Sequence, residues 1–332
     1  MKAVLVREFA PFTQVGVAEV DDPVPAPGEI IVDVVAAEAN YPDILVIEGK
    51  YQIKPPLPFS PGKAAAGRVA AIGEGVGNFS IGDPVAVQVE YGAYAEKVRV
   101  RAESCFRMPD GMPFEKAAAL GLVYQTAWFA LKDRASFKPG ESVLVLGASG
   151  GIGVASMQLA KAFGANVVIA GVLGESNAEV ARTAGADHVV DLGRSDLKDS
   201  LKADVAAATD GRGADVVIDP VGGAANAAAL RAMAWRGRLV VIGFASGEIP
   251  TIRANYLLVK NIAVAGLQWS DYRDRTPERV VVAQEEIFDL YSRGLIDPVI
   301  SRTVPLEDFK TALAVLRDGQ AQGKIILQVR LS

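Results

Sequence analysis

The sequence predicts an α/β domain built on a six-stranded parallel sheet, joined to a smaller domain of the β-barrel type. The chain has 332 residues, enough for about two domains. Its first 120 or so residues alternate short apolar runs with turn clusters, and nine of the 18 prolines precede Gly62. Its later part contains six short valine-, isoleucine- and leucine-rich runs separated by helical patterns. Such runs are typical of parallel strands buried on both faces.

In the first part, short apolar runs between turn sequences predict five strands, over 2–7, 15–19, 30–35, 67–72 and 95–100. The connections carry turn chemistry, as in Asp22-Pro-Val-Pro-Ala-Pro-Gly28, where proline and glycine disfavour a helix. This spacing favours a compact barrel-like β domain. Helices are predicted over 113–122 and 124–131, before Phe137-Lys-Pro-Gly140 turns the chain.

The later part supplies the predicted parallel strands, over 142–146, 167–170, 188–190, 215–218, 239–242 and 262–265. Two sets of three strands are the number in a dinucleotide-binding Rossmann sheet. The rest of the chain is predicted to form helices over 280–292 and 306–318 and a strand over 324–329, which could complete the first domain. The predicted divisions are therefore 1–123, 124–266 and 267–332.

The composition excludes several classes of function. A net charge of −5, from 34 basic and 39 acidic residues, argues against nucleic acid or an anionic membrane as a partner. The single cysteine, Cys105, and single histidine, His188, exclude a disulfide framework and a Cys/His zinc site. We expect Cys105 to be a partly buried small residue and His188 to begin a strand. Early charges interrupt any signal-peptide core, which favours a cytoplasmic enzyme.

A glycine-rich loop carries the strongest functional signal. Strand 142–146 runs directly into Gly147-Ala-Ser-Gly-Gly-Ile-Gly153 and then into a helical pattern. Glycines in this order allow a tight turn, a close approach of backbone amides to a pyrophosphate, and packing of helix on strand. The spacing fits G-x-G-x-x-G with alanine in the first place, which predicts dinucleotide binding by Ala148, Ser149, Gly150, Gly151, Ile152 and Gly153. The alternative is a turn kept for packing alone.

The residues after the second parallel strand leave the type of dinucleotide open. An NAD site has an acid about 20 residues past the loop, to bind the ribose 2′-hydroxyl. Here Ala170-Gly-Val-Leu-Gly174 contains no acid, and Glu175 comes late. This leaves room for the 2′-phosphate of NADP(H), with Ser176, Asn177 and Arg182 as candidate contacts. No lysine or arginine clamp is evident, so NAD(H) also stays open.

Further motifs follow one another in a specific order. They are Asn40-Tyr-Pro-Asp43, Pro58-Phe-Ser-Pro-Gly62, Tyr91-Gly-Ala-Tyr-Ala-Glu96, Asp219-Pro-Val-Gly-Gly223, Gly243-Phe-Ala-Ser-Gly247 and Gly323-Lys-Ile-Ile-Leu327. With the glycine loop, they resemble the zinc-independent quinone oxidoreductase family of the medium-chain dehydrogenase/reductase superfamily over essentially the whole chain. The resemblance implies a GroES-like catalytic domain at the two ends of the chain, a Rossmann domain between them, and NADPH-dependent reduction of quinones or conjugated enones.

The resemblance also implies site residues. Asn40, Tyr51 and Thr126 would line the nicotinamide or the substrate pocket, with Tyr51 orienting the acceptor oxygen or relaying a proton. The implied cofactor contacts near the nicotinamide ribose and carboxamide are Val221, Gly222, Gly243 and Phe244, and Lys324 is a further candidate. Each catalytic candidate has a structural alternative: a loop aromatic on prolines 55 and 56 for Tyr51, a turn residue for Asn40, and helix packing for Thr126.

The chain departs from the family pattern in two places. Lys63-Ala64 stands where the family usually has an acid, so we expect a polar contact near the active site to be lost. Asn177 and Leu192 stand where a lysine and a tyrosine often hold the 2′-phosphate. These departures motivate an alternative of another class, a non-catalytic NADPH-binding redox sensor. Within the oxidoreductase class, the alternative is an enone or 2-alkenal reductase.

Three further features bear on class and assembly. The pattern Tyr256-x-x-x-Lys260 fits the catalytic pair of short-chain dehydrogenases, but those chains normally begin with their glycine loop, and some 140 residues precede it here. The charged stretch 271–279 is expected to be a solvated loop. Strand 262–265 would be the open edge of the Rossmann sheet, and apolar edges are usually covered, so we predict a homodimer formed there.

Overall fold

The structure is a computed structural model that describes residues 1–330. In this range the strands are β1 (Lys2–Leu5), β2 (Gly16–Glu19), β3 (Glu29–Ala39), β4 (Ala64–Ile72), β5 (Pro84–Gln88), β6 (Lys97–Arg101), β7 (Cys105–Arg107), β8 (Ser142–Leu146), β9 (Val167–Val172), β10 (His188–Asp191), β11 (Ala214–Asp219), β12 (Met233–Val241), β13 (Ala263–Gly266), β14 (Ile300–Pro305) and β15 (Lys324–Gln328). The α-helices are α1 (Tyr41–Ile47), α2 (Phe114–Ala119), α3 (Leu122–Trp128), α4 (Gly151–Ala162), α5 (Glu175–Thr183), α6 (Leu197–Ala208), α7 (Gly223–Ala232), α8 (Ala254–Lys260), α9 (Trp269–Arg275), α10 (Pro277–Ser292) and α11 (Phe309–Arg317).

The chain folds into two compact units. Unit 1 comprises Met1–Leu122, Ser270–Ser292 and the described chain from Ile300 onward, and unit 2 comprises Val123–Trp269 and Arg293–Val299. The segment Arg293–Val299 therefore differs from the prediction that placed all of 267–332 with the first domain. Its place is explained by Gln158, which donates from Nε2 to the Asp297 carbonyl at 2.7 Å and accepts from the Asp297 amide at 3.1 Å.

Unit 2 is built on a six-stranded sheet in the order β10-β9-β8-β11-β12-β13, with every pair parallel. This is the strand order of a complete dinucleotide-binding sheet. Successive strands run outward from β8 to one edge and from β11 to the other, so the strand order reverses between β8 and β11. The central strand is fully buried, and Leu144 lies between Ile169 on β9 and Val217 on β11. The predicted parallel sheet is confirmed, with strand ends that differ by up to six residues.

Unit 1 contains a seven-stranded sheet in the order β14-β15-β3-β4-β5-β7, with β6 also paired to β3, and a separate β1-β2 pair. All pairs except β14-β15 are antiparallel. The long strand β3 pairs with β6 through Glu29–Asp33 and with β15 through its last four residues. The core includes Val32 and Val34 on β3, and Ile325 and Leu327 on β15. Three of its strands, β5, β7 and β14, were not predicted.

One predicted loop is wrong. The stretch 271–279 is not a solvated loop, because helix α9 covers its first half and α10 begins at Pro277. The side chain of Arg273 is only 10% exposed and donates from Nη1 to Glu90 Oε2 at 3.0 Å. A largely enclosed partner of opposite charge therefore pairs with this charged segment. Within residues 1–330, no helix is long and apolar enough to cross a membrane.

Candidate active site

The glycine loop follows β8 at the point where the strand order of unit 2 reverses. Gly150 occupies the N-cap position of α4, and the Ala148 amide donates to the Gly171 carbonyl on β9 at 3.0 Å. A Cβ at Gly153 would lie 2.4 Å from the Gly147 carbonyl oxygen and 2.5 Å from Ala148 Cα, so this position requires glycine. A Cβ at Gly150 would meet nothing nearer than 3.5 Å. The loop is therefore packed tightly against α4 and open beside Gly150, as a pyrophosphate-binding loop requires.

Asp219 fixes the loop that follows β11. Its carboxylate is completely buried and accepts from the Val221 amide at 2.8 Å, the Gly222 amide at 2.9 Å and Asn226 Nδ2 at 2.7 Å. A carboxylate with three donors sets the path of the backbone at the end of the strand. The sequence motif included Asp219, but the sequence did not reveal this positioning role.

The predicted nicotinamide-side contacts come together at the same edge of the sheet. A Cβ on Gly147 would lie 2.8 Å from Val221 Cγ2, so the loop after β11 lies against the glycine loop. A Cβ on Gly222 would lie 3.1 Å from Phe244 Cδ1, which brings the loop after β12 beside it. Val221, Gly222 and Phe244 therefore lie next to the glycine loop, and Gly243 directly precedes Phe244.

The predicted 2′-phosphate contacts lie at the start of α5, beyond the carboxyl end of β9. Asn177 donates from Nδ2 to the Leu173 carbonyl at 2.7 Å, and Ser176 precedes it in the first turn. Arg182 is ion-paired with Glu175 at 3.0 Å. Leu192 is buried with its methyl groups against Gly171. The structure thus brings Ser176 and Asn177 to the strand next to β8, while Leu192 serves packing.

In unit 1, Asn40 is held in one orientation before α1. It is 4% exposed. Its backbone N–H donates to Asp43 Oδ2 at 2.9 Å, and its side-chain Oδ1 accepts from Lys324 Nζ at 2.7 Å. Lys324 also donates to Glu38 and, at 3.3 Å, to the Ala39 carbonyl. The three N–H groups of the ammonium therefore have protein acceptors. The structure shows Lys324 positioning the Asn40 amide, and its predicted contact with a cofactor stays a prediction.

A second buried carboxyl group supports Asn40. Asp43 accepts from the Tyr94 hydroxyl at 2.7 Å, and both side chains are completely enclosed. Burial raises the pKa of Asp43 from 3.8 to about 6, although the hydrogen bond from Tyr94 opposes that rise. Gly62, at φ +93°, lies against the Tyr94 ring, where a Cβ would approach Cδ1 to 2.3 Å. The three-residue spacing of Asn40 and Asp43 was a local signal for this arrangement.

Lys63, which stands at the first departure from the family pattern, forms polar contacts of its own. Its side chain is 3% exposed, and its ammonium forms an ion pair with Glu90 and donates to the Glu90 carbonyl at 3.2 Å. It also lies 4.7 Å from the centroid of the Tyr51 ring. The same carboxylate accepts from Ser270 Oγ and from Arg273 Nη1, each at 3.0 Å. Lys63 is therefore a buried cation held by a carboxylate that it shares with Arg273.

The remaining candidates are placed as follows. Tyr51 packs partly against the core of unit 1, and Thr126 is buried in α3 of unit 2. Lys260 donates to the Leu230 and Arg231 carbonyls at the end of α7, at 3.0 and 2.8 Å. Because this lysine caps a helix, the short-chain dehydrogenase interpretation loses its support.

The two rarest residue types occupy structural positions. His188 begins β10, as predicted, and Cys105 is buried in β7, where desolvation raises the pKa of its thiol. Among residues 1–330, no cluster of three or more histidine, cysteine, aspartate or glutamate side chains is arranged to hold a metal ion.

Comparisons with known proteins agree with both units. Residues 26–110 match the sequence model of the alcohol dehydrogenase GroES-like domain, and residues 151–285 match that of the zinc-binding dehydrogenases. A quinone oxidoreductase-like protein 2 homolog from Nematostella vectensis is 36% identical over 296 residues, covering 88% of this chain and 79% of that protein. The predicted fold class, a GroES-like domain with a Rossmann domain, is confirmed.

Two solved structures are similar over nearly the whole chain. The Escherichia coli quinone oxidoreductase complexed with NADPH is 29% identical, with a TM-score of 0.89 over 99% of this chain and 100% of that one. A mycobacterial protein complexed with NADPH is 30% identical, with a TM-score of 0.91 over 99% and 100% of the two chains. Both similarities extend through unit 1 and unit 2.

Proposed function

Because this chain belongs to the quinone oxidoreductase family of the medium-chain dehydrogenase/reductase superfamily, we propose that it catalyses the NADPH-dependent reduction of quinones without a metal ion. Family membership makes it a nicotinamide-dependent oxidoreductase, and NADPH as donor and a quinone as acceptor are the proposal. The observation that carries it is the glycine loop at the reversal point of the sheet, with the Asp219-fixed loop against it.

The residues of unit 2 fit a nicotinamide dinucleotide. Residues 148–153 would surround the pyrophosphate, and the N–H groups of the first turn of α4 would donate to it, because backbone N–H groups and the helix dipole favour anions there. Val221, Gly222, Gly243 and Phe244 would contact the nicotinamide ribose and carboxamide, and Ser176 and Asn177 the 2′-phosphate. Reduced nicotinamide supplies a hydride when bound. The NADPH complexes of two similar proteins support NADPH as a cofactor, and the assay below compares it with NADH.

The acceptor side of the proposal rests on Asn40, Tyr51 and Thr126. A quinone is electron-poor, so the main requirements are to hold it in a reactive geometry and to exclude water. Tyr51 would orient the acceptor oxygen or relay a proton to it. Asn40 would hydrogen-bond the same group, and Lys324 fixes the orientation of its amide. Thr126 would be a further hydrogen-bonding partner.

The residues present do not fit a zinc site. The chain has one cysteine and one histidine, which lie in different units, and the described residues contain no metal-binding cluster. Zinc sites in proteins use three or four such ligands around one ion. The proposed mechanism therefore contains no step through a metal.

We also propose that two copies of the chain pair through β13. This strand is the edge of the six-stranded sheet, and its residues are half-buried or exposed. Leu258 and Val259, on the preceding helix α8, are 78% and 73% exposed. Strand pairing would satisfy the open backbone groups of the edge and cover this apolar surface.

Steady-state assays with NADPH and NADH test the proposed function. We expect oxidation of NADPH on addition of 1,4-benzoquinone, and a lower rate with an α,β-unsaturated ketone. A higher rate with the ketone would identify an enone reductase, and tight NADPH binding with no turnover of either acceptor would identify a sensor.

Tyr51→Phe is expected to lower turnover, whereas Tyr256→Phe, the matched tyrosine on α8, is expected to retain it. The opposite pattern would contradict the assignment of Tyr51.

A further inference from the structure

Lys63 is a buried cation to which the proposed reaction assigns no role. Burying an ammonium group costs free energy unless a group of opposite charge pairs with it. A lysine side chain with 3% exposure therefore requires such a partner. Glu90 supplies the pairing, through its carboxylate and its carbonyl oxygen. On its other side, the ammonium lies 4.7 Å from the centroid of the Tyr51 ring. Lys63 therefore lies in contact with both the Glu90 carboxylate and the side chain proposed to orient the acceptor.

Lys63 belongs to a cluster of two cations and two carboxylates. Glu90 is shared, because Arg273 Nη1 and Ser270 Oγ both donate to its second oxygen at 3.0 Å. Two cations thus share one carboxylate. Asp274 balances part of the Arg273 charge from a half-exposed position. Asp43 is the other nearby acid, and Lys63 acts to lower its pKa against the larger opposing effect of burial.

We propose that Lys63 is a positioning and specificity residue of the acceptor site, which fixes the Tyr51 ring and favours acceptors that become negatively charged on oxygen. This inference rests on the proposed function. Reduction of a quinone breaks one C–H bond of the dihydronicotinamide, transfers its electron pair with the hydrogen to the quinone, and leaves one negative charge on a quinone oxygen. A proton from solvent, relayed by Tyr51, then completes the hydroquinone.

The physical basis is electrostatic. A positive charge held in place before the reaction stabilises negative charge that develops later, without the cost of reorganising solvent. The ammonium also attracts the face of the Tyr51 ring, which restricts the ring to one orientation. The chemical class selected is therefore a conjugated carbonyl compound whose reduced form is an oxyanion. A neutral aromatic compound of the same shape gains nothing from the charge.

Binding of a stable oxyanion tests this inference without turnover. The probe is 4-nitrophenolate, followed by its absorbance, with 4-nitroanisole as a neutral probe of similar shape. The variants are Lys63→Met, which keeps the length and removes the charge, and Lys63→Arg, which keeps the charge. We expect Lys63→Met to bind the anion about 10-fold or more weakly, Lys63→Arg to recover most of that loss, and the neutral probe to bind all three proteins equally. Equal binding of the anion by wild type and Lys63→Met would overturn the inference.

A turnover arm separates this inference from the proposed function. In the assay with 1,4-benzoquinone, Lys63→Met is expected to lower kcat about 10- to 100-fold, with little change in the Kd for NADPH. The effects of Lys63→Met and Tyr51→Leu are expected to be non-additive in the double variant, because Lys63 acts through the Tyr51 ring. Simple multiplication of the two losses, or no rescue by arginine, would refute a positioning role. Wild-type protein that prefers the anion but never oxidises NADPH would refute the proposed function alone.

Discussion

Gly153→Ala is expected to distort the glycine loop and weaken dinucleotide binding. The added Cβ would lie 2.4 Å from the Gly147 carbonyl oxygen and 2.5 Å from Ala148 Cα, and both are backbone atoms that cannot rotate away. Replacing glycine by alanine within a helix normally raises the free energy of unfolding by roughly 0.5–1 kcal/mol. Overpacking of this kind costs about 1–3 kcal/mol, so the net effect is a loss of stability. Displacement of the loop is expected to weaken NADPH binding by about 10-fold or more.

Gly150→Ala is the matched control. Its φ is −79°, which alanine adopts freely, and the nearest atom to the new Cβ is 3.5 Å away. Stability is therefore expected to change by less than about 0.5 kcal/mol. The methyl group enters the open side of the loop, where the pyrophosphate would approach, so binding is again expected to weaken.

Two measurements separate these effects. Thermal unfolding without cofactor reports stability, and titration of NADPH fluorescence reports the Kd. We expect Gly153→Ala to lose both stability and affinity, and Gly150→Ala to lose affinity alone. If Gly153→Ala kept the wild-type Tm and Kd, the packing argument for the glycine loop would be refuted.

Three further predictions concern buried charge and assembly. Burial raises the pKa of Asp43 from 3.8 to about 6, so the folded state binds the carboxyl proton more tightly than the unfolded state does. The free energy of unfolding is therefore expected to fall by about 3 kcal/mol as pH rises through that range. Asp43→Asn is expected to remove that decline from Tm measured against pH; an unchanged decline would count against it. Lys324→Met leaves Glu38 as an unpaired buried charge and is expected to cost about 3–5 kcal/mol in denaturant unfolding, with most of the loss recovered by adding Glu38→Gln. In sedimentation velocity at micromolar concentration, wild type is expected to be a dimer and Ala263→Arg on β13 a monomer; a monomeric wild type would contradict the edge-strand interface.

The sequence predicted the parts of the fold that depend on local patterns. The parallel sheet of unit 2 followed from apolar runs at helix-length intervals, and the glycine loop from spacing within seven residues. Strands β5, β7 and β14 were missed: β5 directly follows a glycine-rich stretch, β7 has three residues, and β14 carries mostly exposed residues. Short strands that pair with distant partners carry little signal of their own.

The buried charges were missed because their partners are far apart in the chain. Lys63 lies 27 residues from Glu90, and Lys324 lies 284 residues from Asn40. The stretch containing Arg273 was interpreted as a solvated loop because nothing nearby in the sequence identifies Glu90, 183 residues away, as its partner. Composition can count such charges, but only the fold pairs them.

A single-turnover measurement tests the proposed hydride transfer most directly. The protein is loaded with NADPH, mixed rapidly with 1,4-benzoquinone, and followed by the absorbance of the reduced nicotinamide. The proposed mechanism predicts that this absorbance is lost in one turnover, and that deuterium at the transferred C4 position slows the loss. A stable complex whose absorbance does not change on addition of the quinone would contradict it and would identify a dinucleotide-binding protein that does not catalyse this reaction.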